Sequence, residues 1–128
     1  MVKQETPAVA IARAHISAWS NRQFDKARAA LAPDVHVTVT TTQPIMSATD
    51  TVGVDKYMEG LIKFAEAVQP GTADIIATVG DDRNALIVVI VKANFGGQIV
   101  TLPGARLYLL DDSNKIKTEH VIFFAMPA

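Results

Sequence analysis

Residues 85–124 read ALIVVIVKANFGGQIVTLPGARLYLLDDSNKIKTEHVIFF. Three apolar runs, Ala85–Phe95, Ile99–Leu110 and Ile116–Phe124, are separated by Gly96-Gly97 and by Asp111-Asp112-Ser113-Asn114. Glycine pairs supply the positive φ of tight hairpins, and Asp, Ser and Asn fold side chains back onto a turn. The stretch therefore predicts three consecutive antiparallel strands, and Ala73–Val79 adds a fourth ahead of them. Leu86, Val88, Ile90, Leu107, Leu109, Ile122 and Phe124 fall on one side of this sheet. The other side must carry a layer that covers it.

That layer is upstream. Thr6-Pro7 has the form of a helix start, and Ala8, Ile11, Ala12, His15, Ala18 and Trp19 follow at helical spacing, with Arg13, Ser17 and Ser20 opposite. Asn21 is placed to cap a short second helix through Phe24, Ala27, Ala30 and Leu31. Asp34–Thr40 then alternates, Val35, Val37 and Val39 against His36, Thr38 and Thr40, which predicts a half-buried strand. Thr41–Val52 has no period and contains Pro44, so it reads as a loop. Val54, Met58, Leu61, Ala65 and Val68 mark a third amphipathic helix, stopped by Pro70-Gly71. Helices gathered in the first half and strands in the second define an α+β domain, with three helices over a curved antiparallel sheet.

The composition narrows the function classes. The 128 residues carry 49% hydrophobic and 20% charged side chains, with twelve Lys plus Arg against thirteen Asp plus Glu. No basic run is present, which argues against a nucleic-acid or membrane partner. With no cysteine, thiol nucleophiles, disulfides and cysteine zinc sites are excluded. No apolar leader follows Met1-Val2-Lys3-Gln4-Glu5, so the expected location is the cytoplasm. No phosphate loop or dinucleotide fingerprint occurs, and the three histidines are scattered; no cofactor and no metal are expected. Residues 1–128 are read as one domain.

Ala18-Trp19-Ser20-Asn21 leading into Phe24-Asp25-Lys26-Ala27-Arg28 and Leu31-Ala32-Pro33-Asp34-Val35 resembles the opening of NTF2-like domains, in particular the SnoaL-like group. Gly53-Val54-Asp55 and the hairpin Leu107-Tyr108-Leu109-Leu110-Asp111-Asp112 with Asn114-Lys115-Ile116 extend the resemblance over nearly the whole chain. It implies a cone of curved sheet closed by helices around an apolar pocket, and a dimer. Members include ketosteroid isomerases, epoxide hydrolases, polyketide cyclases and non-enzymatic binders, so the resemblance fixes the fold and leaves the function open. Carried over one position at a time, the isomerase base aspartate falls on Val39 and the first oxyanion donor on His15. The second oxyanion donor falls on Arg106, and the last-strand aspartate of the hydrolases and cyclases falls on Val121. Valine at both carboxylate positions means that neither familiar proton-transfer mechanism runs unchanged.

A turn about Asp112-Ser113 sets Leu110 opposite Lys115 and Arg106 opposite Glu119, close enough to pair. With His15 above them, these are the polar groups expected inside the cone. His15 and Glu119 are the candidate catalytic groups. Trp19, Tyr57, Leu61 and Phe64 from the helices, with Val39, Val89, Arg106, Tyr108, Val121 and Phe123 from the strands, are the candidate ligand contacts. Arg106–Glu119 reads equally as a salt bridge without chemistry, and His15 equally as a core histidine with one hydrogen bond. The expected partner is a small apolar molecule. The alternative is an interaction module whose cone is filled core. The outward face is expected to pair two copies of the chain. His36 is expected in solvent beside Thr38 and Thr40, and His120 lies with Ile116, Thr118, Ile122 and Phe124 on the outward face, where it reads as an interface residue.

Overall fold

The computed structural model describes residues 5–42 and 47–124. Helices α1 (Pro7–Ser20) and α2 (Phe24–Ala29) precede strands β1 (Leu31–Thr41) and β2 (Thr49–Val52). Helix α3 (Val54–Ala67) follows, then β3 (Asp74–Gly80), β4 (Asn84–Phe95), β5 (Gln98–Leu110) and β6 (Ile116–Phe123). The six strands form one open, curved sheet in the order β2-β1-β6-β5-β4-β3, with the three helices packed on its inner face. The α+β class and the helix-covered sheet stand as expected.

One pairing departs from the antiparallel expectation. β1 runs parallel to β6, so the sheet is mixed, while the other four pairings are antiparallel. The reason is topological: β2 and β3 run the same way across α3, so the four reversals at β1–β2, β3–β4, β4–β5 and β5–β6 leave β6 running with β1 where it closes the gap between β1 and β5. A second correction concerns Thr41–Val52. Its last four residues form β2, which adds to the free edge of β1 with His36 opposite Val52 and Val39 opposite Thr49. Residues 43–46 of that expected loop, Pro44 included, lie outside the described residues.

Local chemistry explains the element ends. Gly96 and Gly97, at φ 62° and 89°, form the two-residue connection between β4 and β5 that right-handed strand twist favours. Asn21 closes α1, donating Nδ2–H to the Ser17 carbonyl at 2.9 Å, and Gln23 takes the capping position of α2 that was expected of Asn21. The buried surface of α1 is broader than a stripe. Val9, Ile16 and Ser20 are buried with the predicted face because α1 touches α2, α3, β3, β4 and β5.

The β5–β6 hairpin corrects the predicted register. Leu110 faces Ile116, an irregularity follows at Leu109/Leu110, and beyond it Tyr108 faces Glu119 and Arg106 faces Val121. The slip of two residues at Arg106 keeps its side chain on the inner face, because side chains alternate with period two. Arg106 and Glu119 are therefore diagonal neighbours, not direct ones. The same irregularity turns Ile116 into the core, fully buried, away from the outward face expected for it.

Candidate functional site

A cavity of about 210 Å³ opens between α3 and the strands β1, β2, β5 and β6. Tyr57, Leu61 and Phe64, at spacings of four and three residues, present one face of α3 to it. Val37 and Val39 come from β1, Arg106 from β5, and Glu119, Val121 and Phe123 from successive inner positions of β6. Ser47, Thr49 and Thr51 on one side and Lys56 and Gly60 on the other form its rim. The walls are apolar, and the charged groups Arg106 and Glu119 sit at the floor.

That floor is sealed from water. Glu119 is 0% and Arg106 3% exposed. Tyr57 donates its hydroxyl hydrogen to Glu119 Oε1 at 2.5 Å. Glu119 Oε2 stands 3.6 Å from Arg106 Nη1, an ion pair longer than a hydrogen bond. The guanidinium lies 4.9 Å from the Trp19 ring centroid and 5.5 Å from that of Phe123, so π-faces stand where water would otherwise solvate the cation. Trp19 in turn tilts against Phe64, and Phe64 against Phe123. By hydrogen-bond geometry Arg106 Nε, Trp19 Nε1, Glu119 Oε2 and the Tyr108 hydroxyl are buried without a partner among the described residues, although the Tyr108 hydroxyl stands near enough to Arg106 and Glu119 to act on both.

Burial sets the titration behaviour. It drives the Tyr57 and Tyr108 hydroxyls well above the usual tyrosine value, and the Glu119 charge adds to that; both stay protonated donors. Burial works against the Arg106 cation, but Tyr108, Glu119 and Tyr57 together outweigh it and its affinity for the proton rises. Arg106 is a fixed positive charge.

His15 is placed differently from the expectation that it faces the pair across the ligand space. It is buried behind the floor, its ring edge-to-face with Tyr108 at 6.2 Å, and does not line the cavity. Its Nδ1–H donates to the Ala27 carbonyl at 3.0 Å, which leaves Nε2 bare and without a partner. Desolvation lowers its pKa, against the attraction of Glu119, so the neutral ring is the favoured form. Its contacts with Ala27 and Tyr108 hold the ring on a side of α1 that does not reach the cavity.

Of the other candidates, Val39, Tyr57, Leu61, Phe64, Arg106, Glu119, Val121 and Phe123 line the cavity, whereas Trp19, Tyr108 and Val89 stand behind it. Val89 lies on β4, opposite Gly104 of β5. Sequence reasoning missed Val37, Ser47, Thr49, Thr51, Lys56 and Gly60 as lining residues. Val37 shares its strand face with Val39, and a glycine inside an amphipathic helix was a readable signal. On the outer face His36 meets Asp50 at 2.6 Å and Thr38 meets His120 at 2.5 Å, so His36 is a half-exposed hydrogen-bond partner of Asp50 and not simply solvated.

The helix-covered curved sheet and the apolar cavity floored by a buried ion pair have the cone-shaped α+β architecture of NTF2-like folds. The chain belongs to the SnoaL-like domain family, whose profile matches residues 12–118. A crystal structure of a Kribbella flavida protein is similar at a TM-score of 0.77 and 21% identity, over 93% of this chain and 88% of that one. An LEH-like epoxide hydrolase from Mycobacterium tuberculosis gives 0.70 and 18%, over 91% and 82%. A further M. tuberculosis protein, in complex with estradiol-17beta-hemisuccinate, gives 0.73 and 12%, over 91% and 93%. At these identities the likeness is one of fold. No curated protein sequence matches the chain. Among the described residues no helix is long and apolar enough to cross a membrane.

Proposed function

We propose that this chain binds a small apolar molecule of one or two rings whose acceptor oxygen is received by Arg106. The observation that carries the reading is the buried guanidinium: among the described residues its Nε–H has no partner in hydrogen-bond geometry, and its contact with Glu119 is 3.6 Å long. Buried donors of this kind are nearly always satisfied, and a ligand oxygen in the adjoining cavity supplies what the fold leaves out. Size agrees. An apolar cavity of about 150 Å³ takes a benzene, whereas sites for drug-sized molecules begin near about 300 Å³; this one, at about 210 Å³, lies between.

Binding is favoured over turnover. Val39 and Val121 offer no proton acceptor, His15 stands outside the lining, and Glu119 is held by Tyr57 and Arg106. The cavity speaks against the alternative of a cone filled by core. Titration calorimetry with 2-acetylnaphthalene and naphthalene tests the reading. The ketone is expected to bind one per chain, roughly tenfold or more tighter than the hydrocarbon, the worth of a hydrogen bond to a charged group. Val121→Phe, which fills the cavity from β6, is expected to abolish both. No binding of the ketone at millimolar concentration, or undiminished binding to Val121→Phe, refutes it.

The same reading includes a homodimer through the outward sheet face. Leu86 and Leu107 are directly opposed across β4 and β5, and with Ile122 they are 38%, 37% and 50% exposed. An apolar patch of this kind is what a two-fold contact covers. Light scattering at micromolar concentration is expected to give the mass of two chains; the mass of one chain contradicts it.

A further inference from the structure

Gly60 occupies the middle of α3, where glycine weakens a helix relative to alanine. Two structural demands justify glycine in such a place, and neither applies. Its φ is not positive, and a Cβ built on it meets no atom within 4 Å. The space left open is the rim of the cavity, which Gly60 lines. Lys56 lies one turn earlier on the same side of α3 and lines the rim beside it.

Lys56 is exposed, and among the described residues no carboxylate lies within 4.0 Å of its ammonium. The adjacent Asp55 is engaged by Arg28. Charges around the cavity therefore do not cancel: Lys56 and Arg106 face a single acid, Glu119, and Glu119 already belongs to Arg106. A cavity of about 210 Å³ with a gap in its wall and an unpaired cation at the gap favours a ligand longer than the cavity.

Resting on the binding reading above, we infer that the ligand is an amphipathic anion: its apolar body fills the cavity, and its acidic end leaves over Gly60 to meet Lys56. Glycine at position 60 keeps the exit open, and lysine at position 56 selects the charge of what passes through it. Gly60 and Lys56 are thus specificity determinants, distinct from the floor pair that receives the other end.

Titration calorimetry with 4-(6-acetyl-2-naphthyl)butanoate and its methyl ester tests this, because the two share one body and differ in one charge. The wild-type protein is expected to prefer the acid by about two- to fivefold, the range a partly exposed lysine–carboxylate contact supports, and to lose the preference in high salt. Lys56→Gln is expected to bind acid and ester alike. Gly60→Leu, whose Cβ meets no atom within 4 Å in the unbound protein, is expected to fold normally and to weaken both by about tenfold. Equal binding of acid and ester to the wild-type protein, a preference that survives in Lys56→Gln, or full affinity in Gly60→Leu each overturns the inference while leaving the cavity reading intact. Binding of neither compound, together with no binding of 2-acetylnaphthalene, overturns both.

Discussion

Glu119→Ala is expected to lower the stability of the domain by about 3–5 kcal/mol, the cost of leaving a buried charge without its partner. The substitution removes the one carboxylate near Arg106 among the described residues and also the acceptor of the Tyr57 hydroxyl. The rings of Trp19 and Phe123 remain on the guanidinium, but cation–π contacts are worth about 0.5–2 kcal/mol and do not replace an ion pair. Arg106→Met combined with Glu119→Leu removes both charges and is expected to recover most of the loss, since a buried pair gains little over apolar side chains of similar volume. Urea midpoints with unchanged m-values decide the matter. A Glu119→Ala loss below about 1 kcal/mol, or a double variant no better than the single one, means that the pair is not desolvated as its burial implies.

The second large effect is a dependence of stability on pH. In the unfolded chain His15 titrates near 6.5, and in the fold its pKa is lowered, first by desolvation. Between the two values the unfolded chain holds more protons than the folded one. Stability from this group is therefore complete above pH 6.5 and is lost as the pH falls below it, by at most about 1.4 kcal/mol per pH unit, levelling off below the folded value. The geometry supports the sign: charging the ring places a new Nε2–H in a buried spot with no acceptor. Urea unfolding from pH 7.5 to 5 is expected to show this slope in the wild-type protein and not in His15→Leu. Parallel curves for the two proteins, with an NMR titration of His15 at 6.5 or above, would falsify the assignment.

What the sequence made legible followed local periodicity. The alternation Val35, Val37, Val39 and the helical spacing of Val54, Met58, Leu61 and Ala65 each place a side chain on a known face. Arg106 and Glu119 could be brought to the inner surface because strand alternation survives a two-residue slip. Other features depend on distant contacts. The sequence Thr49-Asp50-Thr51-Val52 has no period of its own and becomes a strand because β1 offers a free edge. The displacement at Leu109/Leu110 is a property of one turn's geometry, with Asn114 at φ 59°. His15 lies on the apolar arc of α1, but whether that arc meets the cavity or the layer behind it depends on how α2 seats against it through the Ala27 carbonyl. Lys56 and Gly60 matter only once the cavity has a rim.

The parallel pairing of β1 with β6 also governs the order of events during synthesis. β6 lies between β1 and β5, so the pair β1–β2 and the meander β3–β4–β5 are joined only through residues 116–123. A ribosome that has not released this segment displays two half-sheets, each with an open edge bordered by apolar side chains. Such edges are templates for strand addition by other chains. The joining step closes a loop of some eighty residues between Val39 and Val121, and pairings so distant along the chain are slow to form. The strand that supplies Glu119, Val121 and Phe123 to the cavity is thus also the last to be made, and the binding site and the continuous sheet come into being in the same step.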